Sequence, residues 1–341
     1  MAEVMVRGPA EPQGAHAPSR HPVYAALDLG TNNCRLLVAR PAPGGFSVID
    51  SFSRPTRLGE GLNGSGRLSD AAIARTLDAL TCCAKRLKRH HGVHLRAVAT
   101  EACRKAANSD LFIARVRAET GIVMNVIEPE EEARLAATGC RALFDPDQHH
   151  ALVFDIGGGS TEFAHVRQGA PGGPLTIVKL YSIPIGVVSL TERQPTLSSG
   201  VGFAAAVAEI ASLLAPFDSD GALRDLALGG GLQMLGTSGT VTILAGMHLG
   251  LSRYDRSRVD GLVLDFPDIT RMTHQLVQSG SARRALYPCV GRDRADLVVA
   301  GCAILEAICQ TWPTGVLRVA DRGLREGMLL TMLDQARMDR L

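Results

Sequence analysis

Several features that would place this sequence in a specialised class are scarce or missing. Aromatic residues make up only 4% of its 341 residues, and the formal net charge is only +2. Because the chain has no global excess of basic residues, we expect no nucleic-acid partner. A polyanionic ligand would have to be met by local groups of Arg and Lys. One such group, the basic run 85–89, also fits the solvated last turn of a helix.

Long apolar runs are missing as well. No segment of about 20 uninterrupted apolar residues occurs, which is the length that a transmembrane helix needs. Residues 1–22 are rich in Pro, Ala, Gly and Arg and lack the apolar core of a signal peptide. We therefore expect a disordered tail over 1–22, a cytoplasmic location and no membrane partner.

The eight cysteines follow neither a disulfide framework nor the paired spacing of a zinc site. Cys82 and Cys83 are adjacent, and the other six are scattered through apolar stretches. We therefore expect reduced, mostly buried thiols, as in cytosolic proteins.

What the sequence does contain is one signature that appears twice. At 26–33 and again at 153–162, an apolar strand leads to an Asp and then to a tight turn of Gly, Thr, Ser and Asn. Such a turn offers backbone N–H groups to an anion, and the Asp can hold a hydrated Mg²⁺ beside it. One copy would be weak evidence, because Asp-x-Gly occurs in many hairpins. Two copies predict duplicated halves that face each other across a phosphate-binding cleft.

Strand and helix patterns alternate along the rest of the chain, which predicts α/β layers. The polar, Pro-containing stretch Asp145–His150 separates the two copies of the signature. We predict a first domain over 23–146 and a second over 147–341. Within the second domain we predict a strand at Leu226–Leu228, directly before three consecutive glycines.

Six blocks carry a more specific pattern: 27–38, 99–106, 130–135, 155–162, 236–240 and 320–327. In this order they resemble the exopolyphosphatase and guanosine pentaphosphate phosphohydrolase (Ppx/GppA) family, a branch of the actin-like ATPase superfamily. The resemblance spans nearly everything after residue 22. It implies two ribonuclease H-like domains with an interdomain cleft, a terminal helix that packs back toward the first domain, and a homodimer.

A phosphoanhydride hydrolase must neutralise phosphate oxygens, place a metal ion and orient a water molecule. We predict Mg²⁺ (or Mn²⁺) at Asp28, Asp155 and Glu162, although the two Asp residues could instead only cap their turns. Arg35 lies seven residues after Asp28, as Glu162 lies seven after Asp155. The predicted phosphate-binding residues are Gly30, Thr31, Asn32, Asn33, Arg35, Arg104, Gly157, Gly158, Gly159, Ser160, Thr161, Ser238, Gly239 and Thr240.

Three acidic residues, Glu130, Glu131 and Glu132, follow Pro129. Taken alone, they fit the first turn of a helix, where acids stabilise the N-terminus. In the family that the chain resembles, the Glu directly before Ala-Arg-Leu activates water, and that position is Glu132. Crowding by neighbouring carboxylates would raise its pKa to a useful value. Glu131 is the second candidate.

Three further matches to the family need similar weighing. Arg104 matches the family's phosphate-contacting arginine, but it could also be a surface residue. Ser238, Gly239 and Thr240 would open a helix and so offer a further anion site. The block 320–327 matches the family too, yet it could merely shape a turn and a helix start.

We therefore expect an exopolyphosphatase that releases the terminal phosphate of inorganic polyphosphate. Hydrolysis of guanosine pentaphosphate is the nearest alternative, because both substrates present a terminal phosphoanhydride. A sugar-kinase-like phosphotransferase and a non-catalytic phosphate-polymer sensor fit the Glu block less well. Long members of the family continue into a C-terminal helical domain beyond the blocks found here. A short, two-domain form is expected to engage only the last few phosphates.

Overall fold

The computed structural model describes residues 22–169 and 175–339. Residues 1–21 of the expected tail therefore lie outside the described residues. The strands are β1 Val23–Leu29, β2 Asn33–Ala42, β3 Gly45–Pro55, β4 Val93–Ala99, β5 Asn125–Val126, β6 His150–Ile156, β7 Thr161–Gln168, β8 Leu175–Ile183, β9 Leu232–Thr237, β10 Val263–Asp265 and β11 Val316–Ala320.

Helices separate most of these strands. They are α1 Leu62–Ser65, α2 Asp70–Leu87, α3 Glu101–Lys105, α4 Ser109–Thr120, α5 Pro129–Cys140, α6 Val187–Arg193, α7 Gly200–Leu214, α8 Ala222–Leu228, α9 Gly239–His248, α10 Arg256–Val259, α11 Phe266–Gln278, α12 Ser281–Arg284, α13 Val298–Thr311 and α14 Leu324–Met338. Short 3₁₀ turns follow α5 and α7, at Arg141–Leu143 and Ala215–Asp218.

Two mixed sheets form the framework, and they share one strand order. The first sheet runs β3-β2-β1-β4-β5, and the second contains β8-β7-β6-β9-β11 with β10 added at its edge. In each sheet an antiparallel hairpin, β1–β2 or β6–β7, joins a parallel core strand, β4 or β9. The predicted α/β class and the duplication are therefore confirmed.

Hydrophobic faces fix the helices on the sheets. The hydroxyl of Ser69 accepts the N–H of Ala72 and caps α2, whose buried side chains Ile73 and Leu80 pack beneath the first sheet.

All eight cysteines lie within the described residues as free thiols, and seven of them are buried. The expected burial of the thiols is therefore confirmed, and their reduced state stays a prediction.

Two helices cross from one half to the other. α5 follows the first sheet in the chain but packs on the second, whereas α14 closes the second half and packs on β1 and β2. They meet where a side chain on Gly327 would collide with the carbonyl of Leu135, and one on Gly139 with that of Gly323. Glycine is needed at both crossing points, because the two backbones touch. The crossing carries the N-termini of both helices to the space between the sheets.

The predicted strand at Leu226–Leu228 is wrong, since these residues form the end of α8. The carboxylate of Asp218 accepts the N–H groups of Leu223 and Arg224 and so stabilises the start of that helix. A cap that precedes the helix by several residues leaves no periodic trace in the sequence. The strand itself, β9, begins after the glycine turn.

One helical segment, Gly200–Asp218, is long and apolar enough by length and composition to cross a membrane. Its buried residues, among them Ala206, Ile210 and Leu214, belong to the core of the second half, where α7 packs against α13. A core helix passes the same test, so the segment is weak evidence for a membrane. The absence of a membrane partner stays a prediction.

Candidate active site

A cavity of about 550 Å³ lies between the two sheets. The turns of both Asp hairpins line it, together with the N-terminal ends of α5, α9 and α14. Strand alternation places Asp28 and Arg35 opposite each other at one end of the first sheet, and Asp155 and Glu162 opposite each other in the second. The duplicated hairpins therefore form two walls of one cleft, as their sequences predicted.

Backbone hydrogen bonds hold the first turn in shape, one within the turn and others from the loop that follows β3. Gly30 N–H donates to the carbonyl of Asn33 across the turn, at 2.9 Å. The carbonyl of Asn32 accepts the N–H groups of Thr56 and Arg57, at 2.9 and 3.0 Å. The turn is thus preorganised by the loop that follows β3.

The second turn is built in the same way and touches the first. Gly157 N–H donates to the carbonyl of Ser160 at 3.0 Å, and the start of α6 holds the turn from behind. A Cβ on Gly158 would lie 2.9 Å from Cβ of Thr31, and one on Gly159 would lie 2.8 Å from Cγ of Glu101. These glycines are required because the two turns approach each other closely.

Two half-buried carboxylates, Asp28 and Asp155, lie at the floor of the cleft. Burial raises the pKa of Asp28, and it raises that of Asp155 to about 7, with a further contribution from the negative charge of Asp28. Arg35 and Arg325 oppose both shifts. The two Asp side chains therefore form an electrostatically strained pair that a cation would relieve.

Glu132 lies at the first turn of α5, lines the cavity and is 8% exposed. Arg104 Nη1 donates to Glu132 Oε2 at 2.9 Å and to the carbonyl of Ile127 at 2.7 Å. The same guanidinium donates through Nε to Glu101 at 3.1 Å, and its Nη2 lies 3.9 Å from Glu162 Oε1. Arg104 thus holds the glutamate in one orientation.

The pKa of Glu132 is raised well above its ordinary value, first by burial and then by the negative charge of Glu162, while Arg104 opposes the shift. Crowding by carboxylates raises this pKa, as predicted, but the carboxylates responsible are Glu162 and Asp28 rather than Glu130 and Glu131. Burial and the charge of Glu162 in the second hairpin therefore raise the pKa of Glu132 and make its carboxylate a stronger base. The neighbouring acids of the run 130–132 do not contribute to this shift.

Glu131 points elsewhere. Its carboxylate accepts a hydrogen bond from Arg96 at 2.7 Å and lies 3.5 Å from Arg134. Of the two adjacent candidates for the base, the structure brings Glu132 to the cleft and engages Glu131 in ion pairs on the flank of α5.

Most of the predicted phosphate-binding residues reach the cavity. Two of them do not: Arg104 lies behind its wall, and Thr161 is fully buried, with its hydroxyl donating to the carbonyl of Ile185 at 2.7 Å. The predicted residues that line the cavity are Gly30, Thr31, Asn32, Asn33, Arg35, Gly157, Gly158, Gly159, Ser160, Ser238, Gly239 and Thr240.

Comparison with known proteins decides the family. The model of the Ppx/GppA phosphatase family matches residues 37–336. This chain belongs to the Ppx/GppA family. It is 31% identical to Exopolyphosphatase 2 of Mycobacterium tuberculosis over 90% of this chain and 98% of that protein. It is also 30% identical to the guanosine-5'-triphosphate,3'-diphosphate pyrophosphatase of Aliivibrio fischeri, over 93% of this chain but only 61% of that protein.

Solved structures of the Ppx/GppA family share the fold. The Aquifex aeolicus family member matches with a TM-score of 0.72 and 30% identity, over 92% of this chain and 98% of that one. An exopolyphosphatase from Cytophaga hutchinsonii matches with a TM-score of 0.80 and 27% identity, over 92% and 98% of the two chains. The expected two-domain, actin-like architecture is therefore confirmed.

The donor groups of the cleft bear on the predicted metal site. Among the residues that the structure describes, no three His, Cys, Asp or Glu side chains form a ready metal cluster. Mg²⁺, however, is commonly held by one or two carboxylates together with water and substrate phosphates. Asp28 and Asp155 fit that role as a charged pair at the cleft floor. Glu162 is 1% exposed and accepts a hydrogen bond from Ser182 at 3.1 Å, which places it behind them.

Sequence reasoning missed several cavity-lining residues of this Ppx/GppA protein. Glu101, which holds Arg104, stands inside the block 99–106, and Arg325 and Glu326 stand inside 320–327. The blocks themselves were the available signal. Arg294 and Tyr254 come from loops outside every block and carry no sequence signal of their own.

Proposed function

We propose that this protein is an exopolyphosphatase that hydrolyses the terminal phosphoanhydride of inorganic polyphosphate. The observation that carries the proposal is Glu132, a buried glutamate of raised pKa that faces a cleft between two anion-binding turns. Matching to a relative named exopolyphosphatase over 98% of that relative's length supports the same activity.

The chemistry follows from the positions of the side chains. The turn N–H groups and nearby arginines would bind the oxygens of the terminal phosphoryl group. Glu132, held by Arg104, would take a proton from water as the water oxygen attacks phosphorus. The bond from phosphorus to the bridging oxygen then breaks, and that oxygen stays on the shortened chain. One orthophosphate is released for each water consumed.

We propose Mg²⁺ (or Mn²⁺) as the cofactor, held by Asp28 and Asp155. The ion would neutralise negative charge on the phosphate chain. Its binding would also relieve the unfavourable burial of the two carboxylates. The protein groups described above supply the base and the orientation of the substrate.

A second candidate substrate is guanosine pentaphosphate. One stretch of the cavity wall is apolar, formed by Ile243, Leu297 and Val298. These residues are only 3%, 8% and 2% exposed, so they offer a nucleoside little contact area, and this candidate rests mainly on the relatives named for the guanosine substrate. The relatives named for the guanosine substrate match this chain over only about 61% of their length, which favours polyphosphate as the first choice.

Phosphate release from polyphosphates of defined length, measured beside guanosine pentaphosphate and ATP, tests the proposal. Glu132→Gln, purified in parallel, controls for contaminating phosphatase. We expect the largest kcat/KM on polyphosphate, with EDTA abolishing it. Higher kcat/KM on guanosine pentaphosphate would select the alternative substrate. Release in Glu132→Gln that stays at the wild-type level and scales with the amount of purified variant protein, which rules out a contaminant, would reject the site. We also propose that the protein is a cytoplasmic homodimer without nucleic-acid or membrane partners. Sedimentation tests the dimer.

A further inference from the structure

Arg325 lies in an unusual place for a basic residue. It is the second residue of α14, it lines the cavity, and its side chain is 19% exposed. A positive charge in the first turn of a helix opposes the helix dipole. Partial burial adds a desolvation cost. Stability of the helix therefore does not account for this arginine.

Neighbouring arginines have clear structural partners. Arg322 donates through Nε and Nη2 to Asp260, and Arg256 donates to the carbonyl of Asp321 and to Glu326. Within residues 22–169 and 175–339, by contrast, the guanidinium of Arg325 makes no hydrogen bond. Its ion-pair contact is Glu326 at 4.0 Å, whose carboxylate already accepts from Arg256 and from Gly323 N–H.

The surroundings of Arg325 point toward an anion. Its charge acts on both Asp28 and Asp155 at the cleft floor, and so does that of Arg35. The guanidinium of Arg35 also forms no hydrogen bond or ion pair in the part of the chain that the structure describes, and Arg35 lines the same cavity. Two guanidiniums, one from β2 and one from α14, thus approach the same pair of carboxylates with donors to spare.

Arg104 offers an instructive contrast. It was the arginine expected to bind phosphate, yet its Nε and Nη1 donate to Glu101, Glu132 and the carbonyl of Ile127. Its Nη2 makes no hydrogen bond within the described residues, but it is buried 3.0 Å from Glu101 Oε2. A polyanion that approaches Asp28 and Asp155 meets repulsion, which nearby cations must offset. Guanidinium groups with available donors suit that task, because they bind two phosphate oxygens at once.

We propose that Arg325 binds phosphate oxygens of the substrate and forms, with Arg35, a two-arginine clamp over the carboxylate pair. The inference rests on the proposed function in one respect, namely that the ligand is a chain of phosphates. It assigns to the start of α14 a direct binding role, whereas sequence reasoning left open that this block merely shapes a turn.

Two measurements on Arg325→Ala test the clamp. The first is kcat/KM on polyphosphate, which we expect to fall on the order of 10²-fold, as for the loss of one preorganised charged donor. Guanidinium chloride at sub-denaturing concentration should restore part of the rate, whereas sodium chloride at equal ionic strength should not. Arg337→Ala, at the far end of α14 with a 60% exposed side chain, is the matched control and should keep wild-type kinetics.

The second measurement is calorimetric binding of tripolyphosphate with Mg²⁺, in a Glu132→Gln background so that the ligand is not consumed. Addition of Arg325→Ala should raise the Kd on the order of 10-fold or more. Rates and Kd values within twofold of the parent proteins would overturn the clamp. Should the alanine variant fail to fold, Arg325→Gln, which keeps a long polar side chain, decides on the same terms.

The outcomes separate the clamp from the proposed function. If the wild-type protein binds tripolyphosphate but releases no phosphate, the exopolyphosphatase proposal fails while the Kd comparison still judges Arg325. If the wild-type protein releases phosphate and Arg325→Ala matches it, the clamp fails and the activity stands.

Discussion

The two Asp hairpins have the same architecture and opposite chemistry. Each begins with a strand that ends in Asp, turns through glycine, and places a charged residue opposite that Asp seven positions later. In the first hairpin this residue is Arg35, which lines the cavity. In the second it is Glu162, which is buried behind the cavity wall and has its pKa raised to about 8, chiefly by burial. Duplication supplied one scaffold, and the position opposite each Asp now carries opposite charges in its two copies.

This difference suits the two hairpins to different roles in the site. Arg35 adds a cation beside Asp28 and favours the binding of an anion. Glu162 adds an acid near Glu132 and helps to raise the pKa of that side chain. We therefore infer that the residue opposite Asp28 serves to bind phosphate, whereas the residue opposite Asp155 serves to prepare the base.

The largest effect is expected at the base. Glu132→Gln should lower turnover by a factor on the order of 10²–10⁴, the range for loss of a positioned general base. Glu131→Gln, one residue away, should cost far less, because Glu131 is paired with Arg96 outside the cleft. Steady-state phosphate release from both variants measures the difference. Equal losses would remove the distinction between the two glutamates.

The next effect concerns the metal-side carboxylates, one from each hairpin. Asp28→Asn and Asp155→Asn should each lower activity on the order of 10²-fold, since each removes a charge that would hold the cation. Both variants should need more Mg²⁺ to reach half-maximal rate, and thermal unfolding in EDTA should show that they remain folded. Wild-type activity that survives metal removal would contradict this role.

A smaller effect is expected at Arg104, which connects the base to the second hairpin. Arg104→Ala removes charge-assisted hydrogen bonds to Glu132 and leaves that carboxylate buried beside Glu162, so its pKa should rise further. We expect a roughly 10-fold loss of kcat at neutral pH. The loss should shrink as pH increases and Glu132 ionises. A loss confined to KM would instead make Arg104 a phosphate ligand, as its sequence block suggested.

The smallest effect is on stability, in the metal-free protein. Folding raises the pKa of Glu162 from 4.5 to about 8, so the folded state binds a proton that the unfolded state releases between these values. The free energy of unfolding therefore falls as pH rises across this window. Glu162→Gln cannot ionise and escapes the fall. Its Tm relative to wild type should be higher by a few degrees at pH 9 than at pH 5. A difference independent of pH would contradict the raised pKa.

Local features of the site could be predicted from sequence. The Asp turns, the cap at Ser238 and the position of Glu132 at the start of a helix all depend on residues a few positions apart. Ser238 does open α9, and its hydroxyl accepts the N–H of Val241 at 3.2 Å.

Long-range features could not be predicted in this way. The pairing of Arg104 with Glu132 joins residues 28 positions apart, and the approach of Arg325 to Asp28 depends on the crossing of α5 and α14. Thr161 shows the limit of reading a motif as one unit. It follows Ser160 directly, but it begins β7, and its hydroxyl bonds to Ile185 inside the protein.

Tripolyphosphate binding in an inactive background tests the division of labour most directly. Calorimetric Kd values would be compared for Glu132→Gln alone, with Arg35→Gln added, and with Glu162→Gln added. The account predicts that loss of Arg35 weakens binding on the order of 10-fold, whereas loss of Glu162 leaves the Kd unchanged or lower. Binding that is weakened equally by both substitutions, or by Glu162→Gln alone, would contradict the assignment of binding to the first hairpin and of base activation to the second.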